Sequence, residues 1–325
     1  MEPLYSLTDT PQSAPLSVAP CVATVGVFDG VHLGHRALLA QMIGHARRSD
    51  LRSVVFTFTE PPVALLKGKK NYSLLSTQAE QRTLLASCGV DAVVWLKFTP
   101  QLSRLTAREF MAILAHEYGV KVLFVGYDHR FGHDPDVGIA DYRCYGAELG
   151  MEVIRTPQLF DARGIGISSS RIRLLLSEGQ VALAGELLGT PYSFTGQVVD
   201  GQKLGRTLGY PTANIALQNP HKLLPPAGVY AATARVNDAP PRAGMLYIGT
   251  RPTLEGADLM PNPCSVELHL FDFRGNLYGS TLQVALHREM RPEQKFPDLT
   301  SLKQALDADA RHVRRYFGLP IPPQS

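Results

Sequence analysis

Through the first half of the chain, short apolar runs alternate with segments of helical pattern. That alternation leaves few folds open beyond a parallel sheet with helices on both faces. Residues 21–27 are apolar and β-branched and read as a buried strand. Residues 36–46 have helical composition, and 53–58, 92–96, 120–125 and 152–154 read as further strands. Between them, Thr77-x-x-Glu80 and Thr106-x-x-Glu109 have the form of capping boxes, in which the Thr hydroxyl and the Glu carboxylate satisfy orphan amides at a helix start. These helices are expected to end near Gly89 and at Gly119, and a third, over 138–149, is closed by Gly150. Ligands of such sheets sit beyond the carboxyl ends of the strands.

The pattern changes near residues 188–191. A polar helical stretch over 177–188 leads into Gly189-Thr190-Pro191. After it come short strands punctuated by Gly and Pro, at 193–199, 229–236, 245–248, 266–273 and 282–286, which predict a small barrel or sandwich. A helix rich in Arg and Asp over 301–317 is expected to pack against it. Two domains follow, 1–188 and 189–325, and 325 residues suffice for a core in each. A net charge of +3 does not argue for nucleic acid or membrane as the main partner. The cysteines at 21, 88, 144 and 264 are too widely spaced for a zinc-type pair and fit reduced thiols in a cytoplasmic protein. Residues 1–20 hold no continuous apolar stretch, so no signal peptide is expected. No apolar run approaches the roughly 18 residues that span a bilayer.

Gly26-Val-Phe28-Asp29-Gly30-Val-His32-Leu-Gly34-His35 follows the first strand and opens the first helix. A helix start offers free amides and a positive dipole end, which attract phosphate. His32 and His35, three apart, can face one ligand and donate to phosphate oxygens, more strongly when protonated. The alternative is two surface histidines on a cap; a metal pair lacks a third ligand at metal spacing. Ser168-Ser169-Ser170-Arg171-Ile172-Arg173 is either a plain capped helix or a second phosphate grip with Arg173 as fixed charge. Between these segments lies Gly126-Tyr-Asp128-His-Arg-Phe131-Gly132. Asp128 either orients a substrate or forms a turn, and Phe131 either stacks on a planar ring or plugs the core.

In the second half, Gly201-Gln-Lys203-Leu-Gly205-Arg206 is glycine-rich and basic but lacks the ending of a Walker P-loop. It reads as a phosphate flap or as a turn-rich loop with solvated bases. Thr212 and Asn214 alternate on an extended segment and so point to one side, where their oxygens suit Mg²⁺ or a substrate oxygen. Glu267 interrupts an apolar strand and shares a face with His269 and Phe271. A glutamate is ordinarily ionised at neutral pH and can accept a hydroxyl proton within hydrogen-bond reach.

GVFDGVHLGH, GYDHRFG and ISSSRIR, in that order, resemble the adenylyltransferase module of bacterial bifunctional riboflavin kinase/FAD synthetases. GRTLGYPTAN, ELHLFDFRGNLYG and RPEQKF resemble the kinase module of the same family. The resemblance implies a Rossmann-like nucleotidyltransferase joined to a six-stranded barrel with a C-terminal helix. It implies ATP-dependent conversion of riboflavin to FMN in the barrel, and of FMN to FAD with release of pyrophosphate in the first domain. His32, His35 and Arg173 would stabilise phosphate charge; Gly26, Phe28, Asp29, Gly34, Ser169 and Ser170 would contact ATP; Asp128 and Phe131 would lie on the flavin side. In the barrel, Glu267 would be the base, Thr212 and Asn214 would place Mg²⁺, Arg291 would lie beside the flavin, and Gly201, Lys203, Gly205 and Arg206 would form the ATP flap. Small molecules are then the expected partners of a monomer or weak homo-oligomer. One departure stands out: Pro61 occupies the place where the family carries the histidine of a Pro-His-Pro segment. It raises the alternative of a working kinase with a weakened adenylyltransferase, beside that of a flavin carrier without turnover.

Overall fold

The computed structural model describes residues 19–66, 72–127, 129–134, 136–201, 204–237, 239–250 and 264–322. The chain divides into two compact units, Met1–Tyr72 with Ser76–Ser168, and Ser73–Leu75 with Ser169–Ser325.

The first unit runs β1 (Cys21–Val25), α1 (Leu33–Arg48), β2 (Arg52–Phe58), α2 (Pro62–Leu66), α3 (Gln78–Ser87), β3 (Ala92–Leu96), α4 (Ala107–Glu117), β4 (Val120–Val125), α5 (Ile139–Glu148) and β5 (Glu152–Arg155). Its five strands are all parallel, in the order β3-β2-β1-β4-β5. Side chains of β1 alternate between two cores. Cys21, Ala23 and Val25 pack with Phe110, Met111 and Tyr142 on one face, and Val22 packs with Leu39 and Met42 on the other. A strand covered on both faces has no wet side, which is why these segments read as unbroken apolar runs. Both expected capping boxes form, at Thr77 and Thr106. The strand order reverses between β1 and β4, so the loops leaving those two strands open side by side at the carboxyl end of the sheet.

The second unit runs α6 (Ser169–Ser177), α7 (Val181–Leu188), β6 (Tyr192–Val199), α8 (Leu204–Thr207), β7 (Ala213–Leu217), β8 (Gly228–Val236), β9 (Arg242–Thr250), β10 (Cys264–Leu270), β11 (Thr281–Pro292) and α9 (Leu299–Tyr316). Strands β6 to β11 close into a six-stranded antiparallel barrel, in the order β10-β7-β6-β11-β8-β9. Closure removes the exposed sheet edges that would otherwise pair with other chains. Ala310 and Val313 of α9 pack against Val229, Ala231, Met245 and Phe271.

The polar helical stretch expected over 177–188 is broken instead. Glycine at 179 takes a positive φ of 75°, and α7 beyond it is apolar, burying Val181, Ala184, Leu187 and Leu188. β7, read from sequence only as an extended segment, is a full barrel strand. Among its five residues only Ile215 is β-branched, which left no strand signal. No helix among the described residues is long and apolar enough to cross a membrane.

Candidate active sites

β1 delivers the chain into a strained loop. Phe28, Gly30 and Val31 take φ values of +49°, +80° and +39°. Glycine adopts such angles freely, whereas Phe and β-branched Val pay about 1–3 kcal/mol each. Gly26 lies under the Phe28 ring, where a Cβ would come within 2.9 Å of Cε2. His32 is the N-cap of α1, and its Nδ1 accepts from the His35 amide at 3.3 Å. With an N–H aimed at Nδ1, the ring proton belongs on Nε2. The His32 and His35 rings stack at 3.7 Å between centroids, with Phe28 edge-on to His35 at 5.1 Å. Gly34 sits beside the His32 ring, 3.1 Å from it at the nearest approach a Cβ would make.

The structure thus brings the two histidines together, and burial decides which form His35 takes. Burial holds the His35 imidazole well below its ordinary value, and the neighbouring His32 and then His129 push the same way. His35 is therefore neutral at pH 7 and donates as an imidazole rather than as a cation. Its Nδ1 is buried without a hydrogen-bond partner among the described residues, a cost that a ligand would relieve. The Asp29 carboxylate, expected to contact ATP, is buried, and its Oδ1 accepts from the Ser76 amide at 2.9 Å and the Ser76 hydroxyl at 3.2 Å.

In the loop after β4, His129, which the sequence did not mark, is close enough to act on His35. Phe131 stacks on Tyr142 at 4.3 Å and meets Phe110 at 5.7 Å, a half-buried ring packed against the edge of the core. Asp128 lies outside the described residues. Pro61 follows β2 and opens α2, its carbonyl accepting from the Ala64 amide at 2.8 Å. Ser169 and Ser170 begin α6, and Arg173 Nε donates to the Ser73 carbonyl at 3.3 Å. All three are counted with the second unit.

In the barrel the register does the assembly. Asn214 of β7 lies directly opposite Glu267 of β10, and Tyr247 of β9 lies on the other side of Glu267. The Thr212 hydroxyl, one residue before β7, donates to Glu267 Oε2 at 2.9 Å. Gly201 lies so close to Asn214 that any Cβ would overlap its amide, and a Cβ on Gly205 would overlap the Tyr210 carbonyl. Lys203 lies outside the described residues, and of Arg206 only its place in α8 is described.

Glu267, Thr212, Tyr247, Arg291 and Phe296 line a cavity of about 250 Å³. A second cavity of about 340 Å³ also borders Thr212, with Phe273, Asn276 and Tyr278. Arg291 faces the first cavity, but its guanidinium is held by a two-point pair with buried Asp309, from Nε at 3.0 Å and Nη2 at 2.8 Å. The Tyr210 and Tyr247 hydroxyls donate to Asp307 and Glu293, each at 2.6 Å. Burial first, then those acceptor carboxylates, push both phenols far up, so both stay protonated donors. His269 places Nδ1 2.9 Å from the Pro211 carbonyl and so fixes the residue before Thr212.

Comparison with known proteins finds two family models in succession, one described as FAD synthetase over residues 15–171 and one described as riboflavin kinase over residues 188–317. The bifunctional riboflavin kinase/FMN adenylyltransferase of Escherichia coli strain K12 is 37% identical over 320 residues, covering 98% of each chain. The protein of that description from Pseudomonas fluorescens is 37% identical over 295 residues, covering 90% of this chain and 92% of its own. A crystal structure described as a macrolide-efflux protein from Streptococcus pneumoniae is 33% identical, with a TM-score of 0.83 over 91% of this chain and 94% of that one.

Proposed function

The chain belongs to the family of bifunctional riboflavin kinases/FMN adenylyltransferases, and on that premise we propose how its residues divide the two reactions. The enzyme phosphorylates riboflavin to FMN and adenylylates FMN to FAD. In our reading residues 189–325 carry the first reaction and 1–188 the second, although α6 and α7 cluster with the barrel.

The observation that carries the kinase assignment is that Thr212, which borders both cavities, donates to Glu267, with Asn214 paired opposite Glu267 on the neighbouring strand. Riboflavin occupies the smaller cavity, with its ribityl 5′-hydroxyl toward Glu267 and its ring beside Arg291. ATP occupies the larger, and the flap role falls to the glycine-rich segment of Gly201, Lys203, Gly205 and Arg206 that the resemblance names. Glu267 takes the hydroxyl proton as the oxygen attacks the γ-phosphorus, and ADP leaves. The donor set of a hydroxyl, an amide oxygen and a nearby carboxylate is all hard oxygen, and no cluster of three His, Cys, Asp or Glu competes among the described residues. That suits Mg²⁺, which keeps several waters and takes one or two protein ligands plus phosphate. When bound, Mg²⁺ neutralises phosphate charge; Thr212 and Asn214 would hold it.

In the first domain no protein nucleophile is needed. A phosphate oxygen of FMN attacks the α-phosphorus of ATP and pyrophosphate leaves. Nε2–H of His32 and the His35 ring donate to the charge that builds there, and the family resemblance gives Ser169, Ser170 and Arg173 the role of holding the outer phosphates. The free thiols fit a reducing cytoplasm, where both substrates are small molecules.

Riboflavin, ATP and Mg²⁺ given to the purified protein should yield FMN first and FAD later, followed by chromatography of the flavins. EDTA should stop both steps and added Mg²⁺ should restore them. FMN accumulating without FAD would favour the weakened adenylyltransferase that Pro61 suggests. Full turnover in EDTA would remove Thr212 and Asn214 from the metal role.

A further inference from the structure

The strained loop that presents His32 is held from one side by groups with no part in the chemistry. The Gly30 amide donates to Ser76 Oγ at 2.9 Å, while the Ser76 amide and hydroxyl both donate to Asp29. One turn further along, Gln81 Nε2 donates to the Val27 carbonyl at 2.6 Å and to Thr57 Oγ1 at 3.2 Å, and the Thr57 hydroxyl also donates to Val27. Asp29, Ser76, Gln81 and Thr57 are all buried. Water therefore cannot replace these bonds, and each lost partner would leave a buried polar group unsatisfied.

Phe28 lies between the two anchor points at positive φ, and Gly30 and Val31, also at positive φ, follow the second directly. Such a conformation persists only where the surroundings over-determine it. The anchors come from the start of α3, itself fixed by the Thr77–Glu80 capping box. His32 follows Gly30 by two residues and caps α1. Fixing the Val27 carbonyl and the Gly30 amide thus fixes where the stacked histidine rings stand.

We propose that Ser76 and Gln81 are positioning residues for adenylyl transfer, acting through the residue 27–32 loop on His32 and His35. The proposal rests on the reading of those histidines as the phosphate-binding pair. It requires a polar donor and acceptor at 76 and a donor at 81, and no contact of either with substrate.

The test is steady-state adenylylation of FMN by the full chain, with riboflavin phosphorylation by the same samples as the internal standard. Ser76→Ala and Gln81→Leu should each lower kcat for FAD formation about 10- to 100-fold, the scale of a misplaced catalytic group, with KM for FMN unmoved and phosphorylation intact. Ser76→Thr, which keeps the hydroxyl, should recover most of the rate. Gln81→Glu should regain rate as pH falls, because only a protonated carboxyl can donate to the Val27 carbonyl. Unchanged kcat in Ser76→Ala and Gln81→Leu overturns the proposal. So does a fall in kcat that Ser76→Thr fails to rescue, since loss of folded enzyme also lowers kcat at unchanged KM but does not depend on the hydroxyl. If His32→Ala also leaves FAD formation intact, the histidine reading itself has failed, and not only the clamp.

Discussion

Glu267→Gln should abolish conversion of riboflavin to FMN, lowering its rate by about 10²- to 10⁴-fold, the usual worth of a positioned base. Conversion of supplied FMN to FAD should continue at the parent rate. The substitution keeps the size of the side chain, and the amide oxygen can still accept from Thr212, whose hydroxyl donates to Glu267 at 2.9 Å in the parent. The register with Asn214 and Tyr247 is set by backbone pairing and should survive. What disappears is the ability to take a proton from the ribityl hydroxyl. Initial rates of FMN and FAD appearance, measured separately, check this. A kinase rate within a few-fold of the parent would mean that Glu267 holds Thr212 and does not act as a base.

His32→Ala combined with His35→Ala should abolish FAD formation and spare the kinase. One preorganised donor is worth about 10²- to 10³-fold, and two that stack at 3.7 Å act as a unit, so the double variant should lose little more than either single one. The loss should fall on kcat rather than on KM for FMN. It should also be insensitive to pH near neutrality, because burial keeps His35 neutral there. A rate that collapses in the parent enzyme as pH rises through 7 would show instead that a charged histidine is required.

The sequence carried the parts of this account that depend on local pattern. Thr77 with Glu80 and Thr106 with Glu109 marked helix starts, because a capping box closes within four residues. Continuous apolar runs marked strands covered on both faces. Glu267 stood out because a carboxylate within an apolar strand needs a partner, and in the barrel it accepts from the Thr212 hydroxyl. Long-range geometry was hidden. Asp29 meets Ser76 across 47 positions, and Arg291 meets Asp309 across a strand and a helix, so neither commitment shows in a motif. The neutrality of His35 depends on burial and on His129, from a loop after another strand. β7 escaped because its burial comes from barrel closure, not from β-branched composition.

The central claim is that two separate sites act in succession, each on its own ATP, with FMN as the shared intermediate. Mixing the Glu267→Gln protein with the His32→Ala/His35→Ala protein tests it most directly. Given riboflavin, ATP and Mg²⁺, neither variant alone should make FAD, and the mixture should make it after a lag during which FMN accumulates. A mixture that yields no FAD, or either variant found to lose both activities, would contradict the account.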